Sequence, residues 1–139
     1  MDYTIEVRKS YIYVKISGQI SLTNPSGWRK IKSARLNVVD SIKKNNIYKL
    51  LIDCRDLSVK LSMINRFLIA NFFVEENLKL IAGQSPLIKI TFVGNRSLID
   101  PGKFGETVAR NRGLHGLVTD NMQEALQWLE QDTPFKEKL

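Results

Sequence analysis

Apolar and polar residues alternate along residues 3–8 and 11–16, and β-branched and aromatic side chains fill both segments. A period of two is typical of strands, and the residues between the segments are few enough for a hairpin turn. The second segment has one apolar face, formed by Ile12, Val14 and Ile16. Its other face is aromatic and basic and is formed by Tyr11, Tyr13 and Lys15. The pattern therefore predicts an N-terminal β-hairpin.

A helical pattern follows the loop-like residues 18–27. Apolar residues recur at spacings of three and four from Trp28 to Ile42, and Asn45 and Asn46 end the pattern. Ser26 is the predicted N-cap of this helix. The outward face of the helix is basic and carries Arg29, Lys30, Lys32, Lys43 and Lys44.

Three apolar runs of strand length and three further helical patterns complete the chain. The predicted strands occupy residues 48–53, 87–93 and 115–118. The predicted helices occupy residues 62–82, residues 101–112 and a segment that begins with a capping box at Asp120 and Gln123. The helix over residues 62–82 is apolar around most of its circumference, which is typical of a helix buried on more than one side.

This order of elements, β-β-α-β-α-β-α-β-α, predicts an α/β fold with a mostly parallel sheet and crossover helices. We expect one domain over residues 1–132, followed by a polar tail over residues 133–139. Sites in such folds lie at the carboxyl ends of the strands. Those ends correspond here to residues 53–58, 94–100 and 119–120.

Charge and composition narrow the class of protein. The 21 basic and 14 acidic residues give a net charge of +7, but no nucleic-acid motif accompanies the basic residues, so nucleic-acid binding is not favoured. The first residues lack the pattern of a signal peptide, and no apolar run is long enough to span a membrane. Cys54 is the only cysteine, which fits a reducing compartment, and we expect a cytoplasmic protein.

Few residues have the chemistry of an active site. His115 is the only histidine. It is predicted to begin its strand, whereas Cys54 lies at the end of a different strand. This arrangement disfavours a nucleophile–base pair. A magnesium site would require four aspartates to converge, namely Asp53, Asp56, Asp100 and Asp120. We favour turn and helix-capping roles for these aspartates. The sequence therefore predicts no enzyme, no metal site and no cofactor.

Three stretches resemble a known group of proteins: KLLIDCRDL at 49–57, FGETVARNRG at 104–113 and VTDNMQEALQWL at 118–129. The last two are similar to the ending F-x-E-x-x-A-x-x-R-G … F-x-D-x-x-E-A-x-x-W-L of small bacterial proteins, mostly uncharacterised, with a STAS-like fold. This is the fold of anti-sigma-factor antagonists and of sulfate-transporter tails, and it is related to the CRAL-TRIO architecture. The resemblance implies a regulatory module that binds another protein.

In antagonists that are switched by phosphorylation, a serine lies at the start of the helix after the third strand. Ser58 and Ser62 stand in that region here, although the usual Asp-Ser-Ser-Gly-like segment is missing. Ser62 also fits a plain N-cap, which is the interpretation we favour. The candidate switch or partner-binding residues are Asp53, Asp56, Ser58 and Ser62, and residues 56–65 are the expected contact surface.

A carrier or sensor of an apolar small molecule, such as a lipid or fatty acid, is the alternative function. The predicted helix over residues 62–82 has more large apolar side chains than one packed face needs, and pockets for apolar ligands are lined in this way. The candidate pocket residues, which are also the candidate dimer face, are Phe67, Leu68, Phe72 and Phe73.

The same helix leads us to predict a symmetric homodimer. If Phe67 packs against the sheet, Leu68 and Phe72 point elsewhere, and a second copy would remove them from water. Sedimentation at micromolar concentration should give twice the monomer mass of 15.9 kDa. Phe72→Asp should dissociate the dimer, because burial of an unpaired carboxylate is unfavourable. A wild-type protein that is monomeric and remains in solution would contradict the prediction.

Overall fold

The computed structural model describes residues 1–59, 65, 88–95 and 115–131. Its strands and helices, in chain order, are β1 (Asp2–Val7), β2 (Ile12–Gln19), α1 (Pro25–Asn45), β3 (Lys49–Ser58), β4 (Lys89–Val93), β5 (His115–Thr119) and α2 (Met122–Glu130). The predicted helices over residues 62–82 and 101–112 and the predicted tail over residues 133–139 lie outside the described residues. In the described part of the chain, no helix is both long enough and apolar enough to cross a membrane.

The five strands lie side by side in the order in which they occur in the chain. β1 pairs antiparallel with β2, and every later strand pairs parallel with its predecessor. Parallel neighbours require a crossover connection, which α1 supplies between β2 and β3. The predicted hairpin and the predicted α/β fold with a mostly parallel sheet are confirmed.

The sheet has a separate apolar core on each face. On one face, Val38 and Ile42 of α1 pack with Val14, Ile52 and Ile90 of the central strands. On the other face, Ala125 and Leu129 of α2 pack with Leu51 and Val93. Because successive residues of a strand point to opposite faces, the continuous apolar run of β3 supplies both cores.

The N-cap of helix α1 lies two residues before the predicted cap. Ser26 was expected to be the N-cap, but Asn24 has the extended backbone of an N-cap and accepts a hydrogen bond from the Gly27 amide at 3.2 Å. Pro25 then occupies the first helical position, where a missing N–H costs nothing. Ser26 lies inside the helix and donates its hydroxyl to Asn24. The predicted end at Asn45 and Asn46 is confirmed, because Asn46 has a left-handed backbone, with φ of 54°.

Helix α2 also has a different cap from the predicted one. Asn121, not Asp120, accepts the capping hydrogen bond, from the Glu124 amide at 3.0 Å. At the other end of the helix, Lys89 of β4 is 2% exposed and donates its ammonium group to the carbonyls of Trp128 and Gln131. The ammonium also lies 4.4 Å from the centroid of the Trp128 ring. A buried lysine therefore donates to carbonyls at the C-terminal end of the helix, where the Trp128 carbonyl also accepts a hydrogen bond from the Gln131 amide at 3.2 Å.

A small apolar cavity of about 90 Å³ lies between α1 and the sheet, and Ala34 is among its lining residues. Ala34→Leu adds three carbon atoms to this space, each worth about 0.8 kcal/mol when buried. After the cost of fixing the new side chain, we expect the free energy of unfolding to rise by about 1 kcal/mol in chemical denaturation. Ser33→Leu, at an exposed position of the same helix, should add less than half of this. Destabilisation by Ala34→Leu would contradict the prediction.

Candidate functional site

The candidate site lies on the face of the sheet that carries α2, where β3 continues past β4. The pairing of β3 with β4 ends at Asp53 and Val93, whereas β3 remains paired with β2 as far as Ser58. The sequence predicted a strand that ended at Asp53. That prediction was wrong, because residues 54–58 continue strand β3 beyond the end of its pairing with β4.

A β-bulge determines which side chains this extension presents. Between Lys15 and Ser17, β2 advances two residues while β3 advances three, from Asp53 to Asp56. The extra residue changes the alternation of side chains on β3. Lys15 is therefore paired in register with Asp53 and also lies near Asp56. The Lys15 ammonium and the Asp56 carboxylate form an ion pair at 3.1 Å, with both side chains about half exposed. The bulge therefore gathers charged groups of β2 and β3 on one face.

Asp53 is the centre of this group and is only 1% exposed. The Tyr13 hydroxyl donates to its Oδ2 at 2.5 Å. The Arg55 guanidinium donates to both oxygens, Nε to Oδ1 and Nη2 to Oδ2, each at 2.9 Å. The backbone amide of Arg55 adds a further hydrogen bond to Oδ1 at 3.1 Å. Both oxygens of the buried carboxylate are thus satisfied, and the paired arginine remains half exposed.

These hydrogen bonds control the ionisation of the group. Burial on its own raises the pKa of Asp53, but the hydrogen bonds from Arg55 and Tyr13 outweigh it and lower the pKa from 3.8 to about 2. The same contacts raise the pKa of the Arg55 guanidinium. Burial, followed by the hydrogen bond to Asp53, raises the pKa of Tyr13. At neutral pH, Asp53 is an anion that accepts hydrogen bonds, and it is a poor general base.

The cluster extends further in two directions. Before β2, the Arg8 guanidinium lies 5.2 Å from the centroid of the Tyr13 ring and forms an ion pair with Glu6 at 2.5 Å. On the β4 side, the Asn95 side chain donates to the carbonyl of Arg55 at 2.7 Å. The cations Arg8, Lys15 and Arg55 each face a carboxylate, so this surface is close to electrically neutral.

Cys54 and His115 do not form a catalytic pair. Cys54 is half buried at the edge of the α1-side core, and burial raises the pKa of its thiol to about 12. In the register of the sheet, His115 lies beside Lys89, which lies beside Lys49. Cys54 is five residues beyond Lys49 on β3, so the two positions differ by about 16 Å along the strand direction. The thiol is therefore a protonated group at the edge of the core.

The magnesium hypothesis finds no support among the described residues. Asp53 and Asp56 are each paired with a cation, and Asp120 is exposed beside the cap of α2. No group of three His, Cys, Asp or Glu side chains in the described ranges is arranged to hold a metal ion. Asp100 lies outside the described residues.

The remaining candidates have separate locations. Ser58 is exposed at the last position of β3, and its carbonyl accepts a hydrogen bond from the Ile20 amide at 3.2 Å. Ser62 and the apolar residues Phe67, Leu68, Phe72 and Phe73 lie outside the described residues. Sequence reasoning did not identify Tyr13 and Arg55 as partners of Asp53. The spacing of two residues between Asp53 and Arg55 was the available signal, since such residues share a strand face.

The overall fold matches that of a known structure. The structure is similar to a solved structure described as an uncharacterised protein of the DUF3478 family with a SpoIIAA-like fold, from Shewanella loihica PV-4. The TM-score is 0.51, the sequence identity is 19%, and the match covers 92% of each chain. The chain therefore has a SpoIIAA-like, that is STAS-like, fold, as its sequence motifs predicted. Neither a protein-family model nor a curated protein sequence matches it.

Asp53→Asn should destabilise the protein in a pH-dependent way. Because folding lowers the pKa of Asp53 from 3.8 to about 2, the charge stabilises the fold above about pH 4, and this contribution is lost as the pH falls towards 2. A shift of this size corresponds to about 2 kcal/mol. We expect Asp53→Asn to cost about that much at pH 7 and much less at pH 2.5, measured by urea denaturation.

Asp56→Asn is the matched control, since it removes a carboxylate from an exposed ion pair that is worth less than about 1 kcal/mol. Equal costs for the two substitutions at pH 7 would contradict the structural role of Asp53.

Proposed function

We propose that this protein is a non-enzymatic regulatory module that acts by binding another protein. The observation that carries the proposal is the position of Ser58, an exposed hydroxyl at the end of a strand that projects past its β4 neighbour. In a STAS-like fold this is the region that leads to the switch serine. The contact surface that we propose begins at Asp56 and continues through residues 57–65.

The chemistry of the described residues supports binding rather than catalysis. Asp53 is held as a hydrogen-bonded anion, and the Cys54 thiol is kept protonated by burial. The rigid network around Asp53 instead fixes the β2–β3 extension, because the side chain of Tyr13 and that of Arg55 meet on one carboxylate. A partner surface benefits from such preorganisation, because less conformational freedom is lost on binding.

The alternative function, a carrier of an apolar small molecule, receives little support from the cavity beneath α1. Its volume of about 90 Å³ is well below the roughly 300–1,000 Å³ of typical ligand pockets. A cavity of this size is better explained as a packing gap.

Phosphorylation of Ser58 would place a negative charge beside Asp56, and Ser58→Asp imitates it. We expect Ser58→Asp to weaken binding to the native partner at least tenfold, about 1.4 kcal/mol, without lowering the melting temperature. The partner would first be identified by in-cell crosslinking of the tagged wild-type protein, and the affinity of each variant would then be measured with the purified partner.

Ser10→Asp is the control, because Ser10 is also exposed but lies in the turn between β1 and β2. Equal affinities of the partner for the wild type and Ser58→Asp would contradict the proposed surface. Failure to crosslink any partner in growing cells would contradict the proposed function.

A further inference from the structure

Helix α1 carries most of the net charge of the protein. Six basic residues and one acidic residue lie within its 21 positions, so this helix contributes +5 to a total of +7. The first turn contains no acidic residue, although acidic side chains stabilise that end of a helix. The positive charge is therefore concentrated on one element, at some electrostatic cost to the helix itself.

Among the described residues, no acidic side chain forms an ion pair with an exposed cation of α1. Across the described ranges, the ion pairs of the structure involve Arg8, Lys15 and Arg55, all on or beside the opposite face of the sheet. None of the five exposed cations of α1 takes part in such a pair; they are Arg29, Lys30, Lys32, Lys43 and Lys44. This contrast makes α1 the strongly positive surface of the described structure.

An exposed leucine lies in the middle of this charge. Leu36 is 55% exposed and is one of two large hydrophobic side chains among the described residues with such exposure. Lys32 precedes it by four positions, and Arg29 and Lys43 lie seven positions away on either side, so all of them share its face of the helix. Asp40 is the acidic residue on that face. An apolar centre with a charged rim is the usual composition of a protein–protein interface.

We propose that the outward face of α1 binds an acidic, amphipathic segment of a second protein, with Leu36 as the apolar contact and Arg29, Lys32 and Lys43 as the cationic rim. The cations span 14 residues, about 21 Å of helix, which a partner helix of similar length would match. A membrane surface fits less well, because the apolar stripe of α1 packs on the sheet and a lipid-bound helix needs its own apolar face. Nucleic acid fits less well because phosphates would leave Leu36 without an apolar contact.

The inference rests on the proposed function and gives the chemistry of one partner surface. The test uses a fluorescent synthetic peptide of about 18 residues, long enough to span the face of α1. It consists of glutamates, with leucines placed at alternating spacings of three and four residues. Anisotropy should show salt-dependent binding, and NMR shift changes should map to Arg29, Lys32, Leu36 and Lys43. A peptide with serines in place of the leucines should bind at least tenfold more weakly.

Two pairs of variants separate this site from non-specific attraction. Leu36→Ser should weaken binding about tenfold, whereas Val7→Ser, at the other exposed hydrophobic residue, should leave it unchanged. Lys32→Glu should weaken binding and reduce its salt dependence more than Lys9→Glu does, although both change the net charge equally. Equal effects within either pair would overturn the inference.

The same experiment tests the other occupants. Tighter binding to phosphatidylglycerol vesicles or to duplex DNA than to the peptide would also overturn the inference. Because the peptide does not contact Ser58, failure here leaves the crosslinking test of the proposed function unaffected.

Discussion

The buried carboxylate of Asp53 is the constraint on which the rest of the site depends. A charged group with 1% exposure is tolerated only when donors surround it. Here the donors come from two adjacent strands, Tyr13 on β2 and Arg55 on β3 itself. These contacts require both the observed register between the two strands and the bulge that follows Lys15. A slip of one residue would move the Tyr13 side chain to the opposite face of the sheet, away from Asp53. The position of Ser58 at the end of β3 follows from the same register.

Periodic patterns in the sequence were enough to predict the described elements and their order. The hairpin, α1 and the strands that build the two cores have clear periods of two or 3.6 residues or continuous apolar runs. The helix caps were predicted less well, since Asn24 and Ser26, like Asp120 and Asn121, are neighbouring residues that are all suited to capping. Only the backbone conformation selects one of them.

The site was predicted less completely than the fold, for two physical reasons. The bulge interrupts the alternation of side chains, so residues 53–58, three of which are charged, resemble a loop in sequence although they form a strand. The partners of a buried group are also set by tertiary contact: Tyr13 is 40 residues from Asp53, and Lys89 is 39 residues from Trp128. No local pattern indicates such pairs. Asp53 itself was identified as a candidate, but its role in the structure is to connect two strands.

The order of the strands in the sheet also affects how the chain can be made. Among the described residues, each strand is hydrogen-bonded only to strands that precede or follow it directly in the sequence. During synthesis on a ribosome, every new strand therefore finds its neighbour already present, and none has to be inserted between two strands that have already paired. Assembly can proceed from the N-terminal hairpin outwards, one crossover connection at a time. This arrangement reduces the time for which an unpaired strand edge is exposed to other nascent chains.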